Sequence, residues 1–193
     1  DPACLGWHVL RGSEMTSKMV PKAYAEEKVG HFCTQAGRSV VVEYSDLPMA
    51  MQRETDANGR LRYLAGSIAI HMLSREFVER LTAHGLALPL HKARKKVPFV
   101  NDDGVRVEPS APNAIKMETF VFDAIPMARS SVVLETDRAE EFAPIKNADG
   151  DDSPATSIAA QSARAARWLE ASGWAIPRRG DGSPDCTIEL SPL

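Results

Sequence analysis

The feature that most limits how this chain can fold is a pair of strand-like stretches, residues 28–33 and 38–44, on either side of an Ala36-Gly37 turn. Two such runs joined by a short turn read as a β-hairpin. The second run carries three valines in succession, Val40, Val41 and Val42. A continuous β-branched run suits a strand covered on both faces, so it predicts a strand inside a central sheet with other layers against it. Further along, Asp56-Ala57-Asn58-Gly59 is a turn signal that leads into strand-like residues 61–65 and 67–71. Ser74 is placed to cap a helix over residues 75–84 that stops at Gly85. The strongest helical period runs over residues 114–128. There Met117, Phe120, Val121, Ala124, Ile125 and Ala128 fall on one stripe, with Asn113 as the cap. Residues 131–135 read as another buried strand, and the Asp- and Gly-rich residues 147–154 as an exposed loop. A last helix covers about residues 156–172 and closes at Gly173.

Strands alternating with helices predict an α/β fold, and the hairpin makes its sheet mixed rather than purely parallel: a mixed β-sheet flanked by helices. The 193 residues suffice for one core and a small appendage, and 44% hydrophobic with 25% charged residues is ordinary globular composition. A net charge of −3 lacks the basic surplus that marks nucleic-acid-binding domains. No apolar run approaches the ~20 residues that span a bilayer, and no secretory leader pattern opens the sequence. Cys4, Cys33 and Cys186 are odd in number and widely spaced, which offers neither a disulfide framework nor a zinc site and fits a reducing cytoplasm. The chain starts at Asp1 without Met and stops just after a strand-like stretch, residues 186–190, which suggests a piece of a longer polypeptide. Residues 174–193, punctuated by Pro177, Gly180, Gly182 and Pro184, read as a linker into a further unit.

Five places could carry chemistry. Lys116 falls at about the third position of the helix predicted over 114–128, where backbone donors, helix dipole and ammonium would converge on an anion; the alternative is a solvated surface lysine. Lys146 follows a strand-like stretch, at the kind of exit where α/β sheets form crevices, or it is a loop lysine in water. Glu43 and Tyr44 close the valine run, where a carboxylate either accepts hydrogen bonds from sugar hydroxyls or faces solvent. Phe120 lies one turn from Lys116 with Phe122 on another face, and aromatics at helical spacing are commonly core. Lys92, Arg94, Lys95 and Lys96 form a basic cluster that either steers anions or is a solvated charge run. There is no phosphate-cradling Gly-rich loop, no catalytic metal-ligand spacing and no nucleophile elbow.

Taken in order, Ser17-Lys18-Met19-Val20-Pro21-Lys22, Glu27-Lys28-Val29-Gly30, Val41-Val42-Glu43-Tyr44-Ser45, Ala65-Gly66, Lys95-Lys96-Val97-Pro98, Pro112-Asn113-Ala114-Ile115-Lys116-Met117-Glu118, Phe120-Val121-Phe122-Asp123 and Glu141-Phe142-Ala143-Pro144-Ile145-Lys146-Asn147 resemble one family, the UDP-N-acetylglucosamine/galactosamine pyrophosphorylases. The likeness is collinear over nearly the whole chain and ends in residues 189–193. It implies a Rossmann-like nucleotidyltransferase catalytic domain, of which residues 1–173 would be the C-terminal part and 174–193 the linker and start of a small C-terminal domain. It implies transfer of a uridylyl group from UTP to an N-acetylhexosamine 1-phosphate, with Mg²⁺ present. Lys116 would contact nucleotide phosphates and Lys146 the sugar phosphate. Glu43, with Tyr44 beside it, would lie at the sugar, Gly30 and Gly66 would let backbone approach it, and Phe120 and Phe122 would shape the space around the N-acetyl group. Ser67 stands where the family usually has Asn. The nucleotide loop and the metal-holding aspartate would belong upstream of Asp1, which would leave this piece inactive alone. A pyrophosphorylase of other sugar specificity and a non-catalytic sugar-nucleotide-binding domain are the alternatives. Oligomeric state is not legible.

Overall fold

Residue by residue, the main sheet is assembled around one buried strand. The computed structural model describes residues 1–85 and 87–190. It opens with helix α1 (Pro2–Leu10), whose first orphan donors are satisfied by Asp1: its Oδ1 accepts from the backbone N–H groups of Ala3 and Cys4. Strand β1 (Met15–Pro21) follows and is almost wholly buried. Strands β2 (Gly30–Gln35) and β3 (Arg38–Val42) form the predicted hairpin, with Ala36 and Gly37 both at positive φ, 49° and 76°. Two left-handed residues in a two-residue loop match the twist of the strands they join. A short helix α2 (Met49–Gln52) leads to β4 (Ala65–Leu73) and helix α3 (Arg75–Thr82). Then come β5 (His91–Lys95), the small ribbon β6 (Phe99–Val100) and β7 (Arg106–Val107), and β8 (Ala114–Glu118), which pairs back on β5. A 3₁₀ segment (Val121–Met127), β9 (Ser131–Glu135), helix α4 (Arg138–Glu141) and helix α5 (Pro154–Ala171) complete the regular structure.

The main sheet has the order β3-β2-β4-β1-β9, with β1 and β9 parallel and the other pairs antiparallel. The fold is therefore the mixed α/β arrangement expected from the sequence. Its core gathers Met15 of β1, Phe77 of α3, and Ala124, Ile125 and Ala128 of the 3₁₀ segment and its end. No helix among the described residues is long and apolar enough to cross a membrane.

Several expectations give way to tertiary structure. Residues 114–128 are not one helix but β8 followed by the 3₁₀ segment. Pro126 lacks the N–H that an α-helix needs, and Ala114–Glu118 finds cross-strand partners in β5. Met117, assigned to the buried stripe, is exposed, whereas Ala124, Ile125 and Ala128 are buried as the period implied. Asn113 caps no helix; its side chain accepts from Val97 N–H at 2.8 Å and donates to Val97 C=O at 3.0 Å. The valine run lies in β3, an edge strand rather than a central one, and is half-buried because only one side has a strand neighbour. Residues 61–65 form no separate strand, and residues 67–71 lie inside β4. The helix at 75 ends at Thr82, and Ser74 occupies its N-cap without a side-chain hydrogen bond. Helix α5 starts at Pro154, fixed by a reciprocal capping box between Ser153 and Thr156. Residues 186–190 carry no strand, and 191–193 lie outside the described residues.

Glu14, just ahead of β1, joins three parts of the fold. Its carboxylate takes a two-pronged ion pair from Arg80 of α3 at 2.7 and 2.6 Å and accepts from Arg129 N–H at 2.8 Å, while its carbonyl accepts from Ser74 N–H. The Arg80 hydrogen bond, then the Arg129 N–H, hold its pKa down at about 2 from 4.5. A depressed carboxyl stabilises the fold above its unfolded pKa and loses that contribution as pH falls toward the folded value. The stability gap between wild type and Glu14→Gln, followed by urea denaturation, should thus be full above pH 4.5 and close progressively down to about pH 2.

Candidate functional site

Two glycines face each other's strands where β2 meets β4: Gly30 is opposite Ser67, and His31 is opposite Gly66. Neither glycine is there for an unusual φ. A Cβ on Gly30 would stand 2.6 Å from Val41 Cγ1 and 3.3 Å from Glu43 Oε1; one on Gly66 would stand 2.9 Å from Val29 Cγ2 and 3.1 Å from Val20 C=O. The lack of a side chain thus lets the end of β3 close over β2 and sets the Glu43 carboxylate beside Gly30. Beyond Ser67 the β1–β4 register slips, between Met19↔Ser67 and Ser17↔His71, with Ala69 left-handed at φ 58°. Such a bulge bends its strand and re-aims neighbouring side chains.

Below this floor lies a buried polar pair. Lys22 Nζ donates to His31 Nε2 at 2.7 Å and to the Ala25 carbonyl, and His31 Nδ1 faces the Val42 carbonyl at 3.3 Å. Desolvation pushes the pKa of both Lys22 and His31 down. Because Nε2 accepts from the lysine, the ring is neutral with its proton on Nδ1, which donates to Val42. Next to it, buried Glu27 accepts from Ala23 N–H and pairs with Arg138 of α4 at 2.5 Å. Lys18, also buried, bridges Asp1 at 2.6 Å and Glu141 at 2.5 Å.

Glu43 is half-buried, and that burial raises its carboxyl pKa above the ordinary range. The neighbouring charges of Asp46, Glu118 and Asp123 act in the same direction, and His91 opposes them. Here β5, β8 and the 3₁₀ segment come together. His91 Nε2 pairs with Asp123 Oδ2 at 2.7 Å, its ring meets Phe120 at 4.8 Å, and Phe120 stacks on Phe122 at 4.8 Å and 13°. Lys116 sits at mid-strand in β8, not at a helix N-terminus, so the predicted dipole site does not form. Its ammonium reaches Glu118 at 2.6 Å and thereby joins the charge cluster around Glu43. Tyr44 keeps an exposed side chain, and its carbonyl accepts from Gln52 at 2.8 Å.

Lys146 arrives from the other side. Its ammonium donates to the Lys28 carbonyl at 2.6 Å, two residues before Gly30, and lies 5.9 Å from the Phe142 ring. The fold therefore gathers Gly30, Glu43, Gly66 and Ser67 at one end of β2–β4, with the aromatic pair and Lys116 on the small-sheet side and Lys146 on the α4 side. Among the described residues no group of three or more His, Cys, Asp or Glu converges to hold a metal. The sequence reading missed the Lys22–His31 and His91–Asp123 pairs. Lys22 and Asp123 stood inside the quoted motifs, but only tertiary contact supplies their partners.

A family model described as UTP--glucose-1-phosphate uridylyltransferase matches residues 1–157. The chain is 39% identical over 208 residues to UDP-N-acetylhexosamine pyrophosphorylase-like protein 1 of Mus musculus, covering 100% of this chain and 41% of that protein. It is 35% identical over 180 residues to UDP-N-acetylglucosamine pyrophosphorylase of Saccharomyces cerevisiae, covering 90% of this chain and 38% of that protein. The chain thus spans about two fifths of the length of such curated relatives. Among solved structures, UDP-N-acetylglucosamine pyrophosphorylase of Trypanosoma brucei in complex with inhibitor matches with a TM-score of 0.69 and 29% identity, over 88% of this chain and 33% of that one.

The glycine floor makes a direct prediction. Gly66→Ala should overpack β4 against Val29 and the Val20 carbonyl and cost about 1–3 kcal/mol in urea denaturation. Gly6→Ala, inside α1 with nothing within 4 Å, should instead stabilise by about 0.5–1 kcal/mol.

Proposed function

Because this chain belongs to the UTP--glucose-1-phosphate uridylyltransferase family, we propose that the polypeptide carrying it transfers a uridylyl group from UTP to an N-acetylhexosamine 1-phosphate, and that this segment supplies the sugar side of the site. The observation that carries the reading is the convergence of Glu43, set beside Gly30, with the Phe120–Phe122 stack and His91 across from it. A carboxylate acceptor suits sugar hydroxyls, and a stacked aromatic wall suits an acetamido methyl. The relatives' names, N-acetylhexosamine and N-acetylglucosamine pyrophosphorylases, support the same substrate class.

In this reading an oxygen of the sugar 1-phosphate attacks the α-phosphorus of UTP in line. A P–O bond forms to the sugar phosphate as the bond to the departing pyrophosphate breaks, and no covalent enzyme intermediate is needed. Catalysis is positioning and neutralisation of two mutually repelling anions. Lys146 holds the sugar phosphate, exchanging its Lys28 carbonyl for phosphate oxygens, and Lys116, released from Glu118, takes a nucleotide phosphate. Glu43 accepts from sugar hydroxyls over the floor of Gly30, Gly66 and Ser67, with Tyr44 at its rim. Mg²⁺ would supply further neutralisation between the phosphates. The described residues offer no ligand set for it, so the chain's own groups carry no step through the metal. A cytoplasmic location accords with free, widely spaced cysteines.

The test uses the full-length gene product. Uridylyl transfer to N-acetylglucosamine 1-phosphate should exceed that to glucose 1-phosphate; a tenfold preference for the glucose substrate overturns the acetamido reading. Lys146→Ala should lower kcat by about 10²–10³, the scale of losing one charge-stabilising donor, and near-wild-type turnover removes Lys146 from its role. Since Glu43 is the stronger acceptor when ionised and its pKa is raised, kcat/KM for the sugar phosphate should decline with falling pH sooner than an ordinary carboxylate would cause. Glu43→Gln should flatten that decline.

A further inference from the structure

The reading above places His91 across from Glu43 but gives the His91–Asp123 pair no task, although it sits where three elements meet. His91 opens β5, which is paired only with β8 in a two-stranded sheet outside the main one. Asp123 belongs to the 3₁₀ segment, whose Ala124 and Ile125 are locked in the core. The 2.7 Å contact between them thus ties a small peripheral sheet to a residue anchored by the core. The pair is partly shielded, with the His91 side chain 36% and that of Asp123 17% exposed.

The tie bears on the aromatic wall. β8 ends at Glu118, opposite His91, and Phe120 is extended, with φ −117° and ψ 135°, before the chain winds into the 3₁₀ turn. Phe120 therefore stands on a short connection whose own backbone does not fix its ring. Two contacts do: the His91 ring at 4.8 Å and the Phe122 ring stacked at 4.8 Å. His91 is in turn held by Asp123, whose carboxylate accepts its Nε2–H and so selects the ring orientation. A carboxylate that fixes an imidazole is a common device for orienting a functional ring.

We propose that His91, oriented by Asp123, is the specificity-determining positioning residue that braces Phe120 and Phe122 as the wall against the acetamido group of the sugar phosphate. The proposal rests on the uridylyl-transfer reading, since the wall has a ligand only there. It assigns His91 no proton transfer. Its effect is on which sugar fits, and therefore on the acceptor KM and the selectivity ratio rather than on UTP.

The experiment measures kcat/KM for N-acetylglucosamine 1-phosphate and for glucose 1-phosphate, with the KM for UTP, in the full-length protein and its variants. His91→Ala should lower the ratio of the two sugars by about tenfold or more, the range reached when an apolar subsite loses its shape, with the KM for UTP unchanged. His91→Gln, which keeps a donor for Asp123 Oδ2, should recover part of the ratio. Asp123→Ala reaches the same brace from the other side, and the double variant should lose no more than either single one. An unchanged ratio in well-folded His91→Ala and Asp123→Ala overturns the proposal, as does an equal loss on both sugars, which marks a general structural role. If wild type itself does not prefer the acetamido sugar, it is the substrate reading that fails.

Discussion

The rest of the structure depends on one buried contact, Lys22 Nζ on His31 Nε2. It lies where the loop after β1, the start of β2 and the end of β3 come together. The lysine holds the Ala25 carbonyl, and the imidazole holds the Val42 carbonyl. Removing one partner would leave the other buried and unsatisfied, which is costlier than the contact itself is stabilising. Because Lys22 donates, His31 can be neither protonated nor in the other tautomer without losing an acceptor. That fixes the direction of the Val42 carbonyl and, one residue on, the departure of Glu43 from the sheet. The glycines at 30 and 66 are the steric counterpart of the same arrangement, since the segments could not close at these distances over side chains.

The candidate site is divided between a rigid half and a tethered half. Gly30, Gly66, Ser67 and Glu43 ride on the main sheet, backed by Lys22–His31 and by Glu27, which binds the loop to α4 through Arg138. Lys116, Glu118 and Phe120 belong to or follow a two-stranded sheet that reaches the main one through the His91–Asp123 contact and the 3₁₀ segment. Electrostatics join the halves. Glu43 lies among Asp46, Glu118 and Asp123, whose charges raise its pKa; His91 pairs with Asp123 and Lys116 with Glu118. So many carboxylates offer hydrogen-bond acceptors to a ligand that brings hydroxyl donors.

The hairpin, β9, the loop ahead of α5 and α5 itself were legible because each rests on local chemistry: a turn at Ala36-Gly37, an apolar run at 131–135, and Ser153 with Thr156 as a cap. The helix expected over 114–128 was not there, although half of its stripe is buried. Ala124, Ile125 and Ala128 face the core from a 3₁₀ turn that presents nearly the same periodicity. Pro126 was the local sign against a continuous helix. The pairing of β8 with β5, 19 residues apart even at its closest register of Lys95 with Ala114, had no local sign. With the helix went the dipole argument for Lys116, whose charge is instead met by Glu118.

By itself the sequence determined the mixed α/β class, the positions of β2, β3, β4 and β9 with the hairpin turn, and the family, because those follow from local propensity and from ordered motifs. Tertiary structure alone decided that the valine run is an edge strand, that Lys116 belongs to a strand, and that Lys22 meets His31 and His91 meets Asp123. The physical reason is the same in each case. Neighbours across a sheet and partners in a buried polar pair are chosen by long-range packing, and one-dimensional spacing carries no record of which distant group will fill a desolvated donor's need.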